Sequence, residues 1–300
     1  ITELESATNF GRLMAVFLWI YGLMSPVAGM IADRINRKWL ISVSLLVWSA
    51  VTLGMGYAQN FEQLYWLRAV MGVSEALYIP AALSLIADYH SSKTRSLAIG
   101  IHMTGLYMGQ ALGGFGATVA DRFSWQQAFH FFGIAGIVYA IFLVFFLKDK
   151  TQAVAERAAP VVKSKPALFK GLAVLFSNTA FWVILFYFAV PSLPGWGIKN
   201  WLPTLFSQNL NIEMSLAGPL STITIAASSL MGVLFGGMLS DRWVQKNLRG
   251  RIYTSAIGLS LTIPALLLIG AGHSLIAIGG AAFCFGFGFG MFDANNMPIL

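Results

Sequence analysis

Arg68 and Glu75 stand seven residues apart inside residues 64–87 (LYWLRAVMGVSEALYIPAALSLIA), an apolar stretch long enough to cross a bilayer as one helix. A charge at the centre of a spanning helix costs about 2.5–3.5 kcal/mol on insertion scales, so such residues are usually kept for function. At 3.6 residues per turn this spacing puts both groups on nearly one face, about 10 Å apart along the axis. They look into one shared space and are too far apart for a simple local ion pair. The planar guanidinium suits a carboxylate held by two parallel hydrogen bonds better than a lysine would. Burial disfavours an ionised carboxylate and a neighbouring cation favours it, so filling or emptying the arginine changes the proton affinity of the glutamate. That linkage couples a bound anion to a proton. The plainer reading makes Arg68 a structural charge paired elsewhere and Glu75 a carboxylate hydrogen-bonded only for folding.

Other polar residues also lie in apolar surroundings. Asp293, Asn295 and Asn296 end the last apolar stretch, and a carboxylate with amides suits hydroxyl groups. Asn296 projects about 60° from Asp293 and is its better companion on a helix. A count from the loop at 272–274 makes Asp293 a gate near the cytoplasmic end. The internal repeat described below makes it part of a cavity wall, and we follow the repeat. Tyr107 and Gln110 are further candidate cavity groups, while His102 reads as a packed or cavity histidine rather than a relay. Gly100, Gly105, Gly109 and Gly113 form a small-residue stripe suited to close helix packing.

Positioning these residues requires a membrane. Of the 300 residues 57% are hydrophobic and 10% charged, and the mean hydropathy is +0.71. Nine stretches reach spanning length, near 13–32, 39–59, 64–87, 97–118, 126–147, 178–198, 216–239, 252–271 and 275–298. Backbone groups in lipid must be satisfied within their own segment, so these are helices. Apart from Arg12, Arg68, Arg122 and Lys199, every Lys and Arg falls on one side, which places 33–38, 88–96, 148–170 and 240–251 in the cytoplasm. The pI of 9.6 follows from that bias and not from nucleic-acid binding. The lone Cys284 excludes a disulfide and a CxxC metal framework, and no HExxH, Gly-x-Ser-x-Gly or Walker pattern occurs. Neither a cofactor nor enzymatic chemistry is expected. A membrane-bound sensor or enzyme is the disfavoured alternative class, since no sizeable soluble domain is apparent.

Two halves echo each other. Residues 29–38 (GMIADRINRK) return as 237–242 (GMLSDR), so that Asp33 and Arg34 match Asp241 and Arg242 at an offset of 208. Gly72, Glu75 and Pro80 recur as Gly290, Asp293 and Pro298 at an offset of 218. Parallel six-helix repeats are a known transporter plan. The loop motif G-x3-D-R-x2-R-K resembles that of the major facilitator superfamily, with Asn36 where a glycine is usual. Within that superfamily R-x3-G-x2-E-x4-P, on Arg68, Gly72, Glu75 and Pro80, resembles the anion:cation symporters. These include hexuronate, galactonate and tartrate permeases and the sialic-acid carrier sialin. Trp125 and Phe129, and Trp196, Asn200, Leu202 and Pro203, match as well.

The resemblance implies an all-α integral membrane protein with two pseudo-symmetric bundles, the nine spans being helices 2 to 10 of twelve. Residues 1–147 would form one bundle, 148–177 a cytoplasmic linker and 178–300 the other. It also implies proton-coupled symport of an organic anion such as a sugar acid by alternating access, with a facilitator or exchanger as the alternative. Sodium could replace the proton. Substrate would meet Arg68, Tyr107, Gln110, Asp293 and Asn296. Glu75 would carry the proton, and Asp33, Arg34, Arg37, Asp241 and Arg242 would gate as a cytoplasmic latch, against the plainer reading of solvated turns. Antiporters of the superfamily have Gly-Pro at Gly113–Gly114, and Gly114 in place of proline favours symport. The expected setting is a monomer in a bacterial inner membrane.

Overall fold

The computed structural model describes residues 6–32, 34–90, 94–148, 173–174, 176–247 and 249–295, with the side chains of 95–97 left aside. Asp33, Asn296, Pro298 and most of the expected linker lie outside these residues. Eleven helices stand out among the described residues. They are α1 (Ala7–Ala32), α2 (Arg37–Met55), α3 (Phe61–Ala76), α4 (Tyr78–Tyr89), α5 (Arg95–Gly113), α6 (Phe115–Arg122), α7 (Trp125–Phe146), α8 (Thr179–Leu210), α9 (Met214–Val244), α10 (Gly250–Ala271) and α11 (Leu275–Asp293). No strand occurs among the described residues. Their starts follow from short polar caps. Asn36 accepts from Trp39 N–H at 3.2 Å, Asn60 from Gln63 N–H at 2.9 Å, and Ser124 and Ser274 cap α7 and α11 in the same way. The capping role accounts for an asparagine at position 36.

Among the described residues eight helices, with α3 and α4 counted as one, are long and apolar enough to cross a membrane. The remaining expected span, 97–118, differs: it forms α5 and α6, separated at Gly114. Residues 64–87 are not one continuous helix either. Pro80 has no N–H for the Ala76 carbonyl four residues back, and the chain breaks at Leu77, whose N–H turns to Ser74 O at 3.3 Å. Arg68 and Glu75 both precede the break.

The helix after 178 was expected to end at 198 but runs to Leu210 through Pro191, Pro194 and Pro203, and Asn211 closes it in the left-handed region (φ 53°). Lys199, expected in an outer loop, is therefore inside α8. Asp241 and Arg242, expected in a loop, occupy the end of α9.

The chain divides into two compact units, residues 1–102 with 119–161, and residues 103–118 with 162–300. In the first, α1 packs on α3, and α2 on α3, α4 and α7. Leu13, Val51, Met55, Leu64 and Met71 make one core, and Leu40, Ile41, Ala81, Ala82 and Leu85 another. In the second unit α11 lies against both α9 and α10, around Phe206, Ile225, Ile278, Phe285 and Phe292. Residues 103–118, expected with the first bundle, join this unit. Thr118 Oγ1 donates to Ser215 O at 2.7 Å, and Thr222 Oγ1 to Ala111 O at 3.1 Å. The Gly100–Gly113 stripe does not make the expected close approach, because a Cβ added at any of its four glycines would meet nothing within 4 Å among the described residues. Gly114 does make it: a Cβ there would lie 2.6 Å from Gly218 O.

Glycines also record the repeat. A Cβ added at Gly72 would lie 2.9 Å from Phe17 O and 3.3 Å from Tyr21 N, so α1 and α3 touch backbone to backbone. At Gly290 it would fall on the backbone of Ser229, 3.0 Å from its Cα. Tyr21 and Ser229 are 208 residues apart, the offset of Asp33 and Asp241. The same two helix pairs thus meet at matching positions in each unit.

Candidate functional site

In the first unit α3 carries Arg68, Gly72 and Glu75, and Gly72 sets how near α1 comes. Arg68 and Glu75 form no direct ion pair among the described residues, yet Glu75 acts electrostatically on Arg68 and on Tyr21 of α1. Arg68 Nε is buried without a hydrogen-bond partner among the described residues. An arginine held this way has donors to offer an incoming oxyanion. His102 lies 5.8 Å from the Tyr78 ring, which stands edge-on to Trp48 at 5.3 Å.

The loop residues make other contacts. Arg37 forms an ion pair with Asp88 and donates to Ser84 O at 3.3 Å, which ties the start of α2 to the end of α4. Arg251 of α10 donates to Asp241 of α9 at 3.4 Å. Arg34 and Arg242 are exposed.

The second unit brings together Tyr107, Gln110, Lys199 and Asp293. Tyr107 Oη donates to Asp293 Oδ2 at 3.1 Å. Lys199 feels the charge of Asp293, and its Nζ lies 5.9 Å from the Trp196 ring centre and 5.4 Å from that of Phe289. The ammonium makes no hydrogen bond or ion pair among the described residues. It borders a cavity of about 260 Å³ with Gln110, Trp196, Pro203 and Thr222. Beside Asp293, Asn295 is fully buried and donates to Met291 O at 3.0 Å.

Lys199 is the residue that sequence reasoning missed. The signal was there in outline, a lone cation between Pro194 and Pro203 with apolar residues on both sides. The repeat adds a contrast. The position matching Arg68 is Gly286, whose added Cβ would lie 3.0 Å from Ile225 O, so no side chain fits there. In this unit the cation comes from α8 and the carboxylate from α11. In the first unit α3 holds both.

Residues 2–300 match the model of the Major Facilitator Superfamily. The chain belongs to that superfamily. The 4-hydroxybenzoate transporter of Acinetobacter baylyi is 26% identical, over 98% of this chain and 69% of its own length. The D-galactonate transporter of Escherichia coli O6:H1 is 26% identical, over 79% of this chain and 59% of its own length. A solved bacterial homologue of the lysosomal transporter spinster, inward-facing and unoccupied, superposes with a TM-score of 0.74 at 23% identity, covering 99% of this chain and 68% of that one. The chain spans little more than half the length of several curated relatives it matches. As a Major Facilitator Superfamily member it is a multi-span membrane protein of a transporter family, and that membership carries its assignment as a non-enzyme.

Proposed function

We propose that the protein is a secondary active transporter that carries an organic anion together with a proton by alternating access, in a bacterial inner membrane. The observation that carries this reading is Arg68 and Glu75 on one membrane helix, coupled electrostatically without a direct ion pair, with a guanidinium nitrogen left unpartnered. Arg68 takes the substrate carboxylate and Glu75 the proton. In the second unit Tyr107, Gln110, Asp293 and Asn296 are the candidate substrate contacts, while Asp33, Arg34, Arg37, Asp241 and Arg242 gate. Sugar acids are one substrate class, supported by the symporter-like motif and by the galactonate relative; the hydroxybenzoate relative brings aromatic acids into the same frame.

Uptake of labelled galactonate, glucuronate, tartrate, sialate and benzoate into energised vesicles tests this. Accumulation of at least one acid, abolished by an uncoupler, is expected. Accumulation indifferent to the uncoupler would favour a facilitator, and no uptake of any anion would overturn the reading.

A further inference from the structure

We infer that the cavity walled by α5, α8 and α9 is a second anion subsite, in addition to Arg68, for a small monocarboxylate with a flat apolar body, an aromatic acid, whose carboxylate there meets Lys199 Nζ. The inference rests on the organic-anion reading and narrows it. Lys199 borders the cavity with an ammonium that no hydrogen bond or ion pair satisfies among the described residues. A half-buried ammonium in this state gains most from an anion placed against it. Trp196 and Phe289 flank it with their rings and can supply only their π faces.

The rest of the wall decides the body of the acid. Ser221 Oγ already donates to Gly218 O at 2.9 Å, and Thr222 Oγ1 to Ala111 O at 3.1 Å, so both hydroxyl protons are committed to backbone. Gln110, whose amide has no hydrogen bond among the described residues, and the indole N–H of Trp196 are the remaining polar groups beside Lys199. Leu202 and Ile225 are almost wholly buried and present hydrocarbon, as does Pro203. A polyhydroxylated chain would find partners for only a few of its hydroxyls, at Gln110, the Trp196 N–H and the two hydroxyl oxygens, and would bury the rest against hydrocarbon. A ring costs nothing there and gains apolar burial. One amide beyond the ring suits a single ring substituent such as a hydroxyl. The volume, about 260 Å³, lies below the roughly 300–1,000 Å³ of pockets for drug-sized ligands, which limits the occupant to a small acid.

The test is thermal-shift and calorimetric titration of the purified full-length protein with benzoate, its neutral isostere benzamide, and galactonate. Binding of benzoate in preference to galactonate and benzamide is expected, and Lys199→Met should weaken it about ten- to hundred-fold while Lys199→Arg keeps most of it. Lys199→Gln, which keeps most of the length and loses the charge, should weaken benzoate in the same way, which decides the matter even if Lys199→Met does not fold. Benzoate affinity unchanged in Lys199→Met, or galactonate bound in preference to benzoate, would overturn the subsite and leave the organic-anion reading standing. Benzamide bound as well as benzoate, or benzoate not bound at all, would likewise overturn the subsite, whereas the organic-anion reading falls only with the uptake panel above.

Discussion

Tyr107 Oη donates a hydrogen bond to Asp293 Oδ2, joining α5 to the last turn of α11 across 186 positions of sequence. The bond sets the carboxylate beside the field of Lys199. It brings two residues singled out separately in the sequence into one contact. Asp293→Asn keeps size and an acceptor oxygen while removing charge. It should alter which acid is preferred more than whether protons drive uptake, measured as a ranking across an acid panel with and without an uncoupler. Wild-type ranking would mean that the repeat marks shared ancestry at this position and not a shared binding role. Tyr107→Phe should cost about 1–3 kcal/mol of stability in a detergent unfolding assay, as expected for a hydrogen bond to a charged group.

Glu75→Gln imitates the protonated carboxylate. Uphill proton-driven uptake should disappear while counterflow exchange between equal proton potentials stays measurable. Undiminished accumulation by the variant would remove Glu75 from the coupling role.

Arg68→Lys keeps a positive charge and loses the planar fork. Apparent affinity for a carboxylate substrate should fall about tenfold or more, with expression and unfolding temperature near those of the parent. An unchanged affinity would locate the anion elsewhere.

Gly72→Val and Gly290→Val each push a side chain into the backbone of the neighbouring helix, at Tyr21 and at Ser229. Overpacking of this kind costs about 1–3 kcal/mol, more where backbone must move. Gly280→Ala, where a Cβ would meet nothing within 4 Å, is the matched control and should be neutral. Thermal unfolding in one detergent compares the three. A neutral Gly290→Val would show that α9 and α11 do not depend on this contact.

Much of this was legible because membrane helices advertise themselves by exclusion. Arg68 and Glu75 stood out as charges inside an apolar run, and the repeat was visible because glycine, acid and proline recurred at one offset. The break at Leu77 was readable in principle from Pro80, but apolar length alone hides it. Lys199 was obscured for a related reason. A cut near twenty residues ends the helix at 198, whereas α8 is about 48 Å long and carries the lysine within it. The glycines of α5 show the limit of composition. Small residues at four-residue spacing permit close approach, but which face meets a neighbour depends on partners far away in sequence. Gly114, just past the end of α5, meets Gly218 closely, while the four glycines of the α5 stripe meet nothing within 4 Å among the described residues.

The glycines of α11 have a mechanical consequence. Gly286 and Gly290 lie on the backbone of α9, and Gly288 on that of Gly258 in α10. Where main chains touch without an intervening layer of side chains, neither helix can slide or roll without colliding. The three helices therefore behave as one stiff plate. Compliance in this unit is left to α8, where three prolines interrupt the hydrogen-bond ladder. Lys199 sits five residues after Pro194 and four before Pro203. A few degrees of bending at either proline would move its ammonium by less than about 1 Å, a small adjustment of its distance to Asp293.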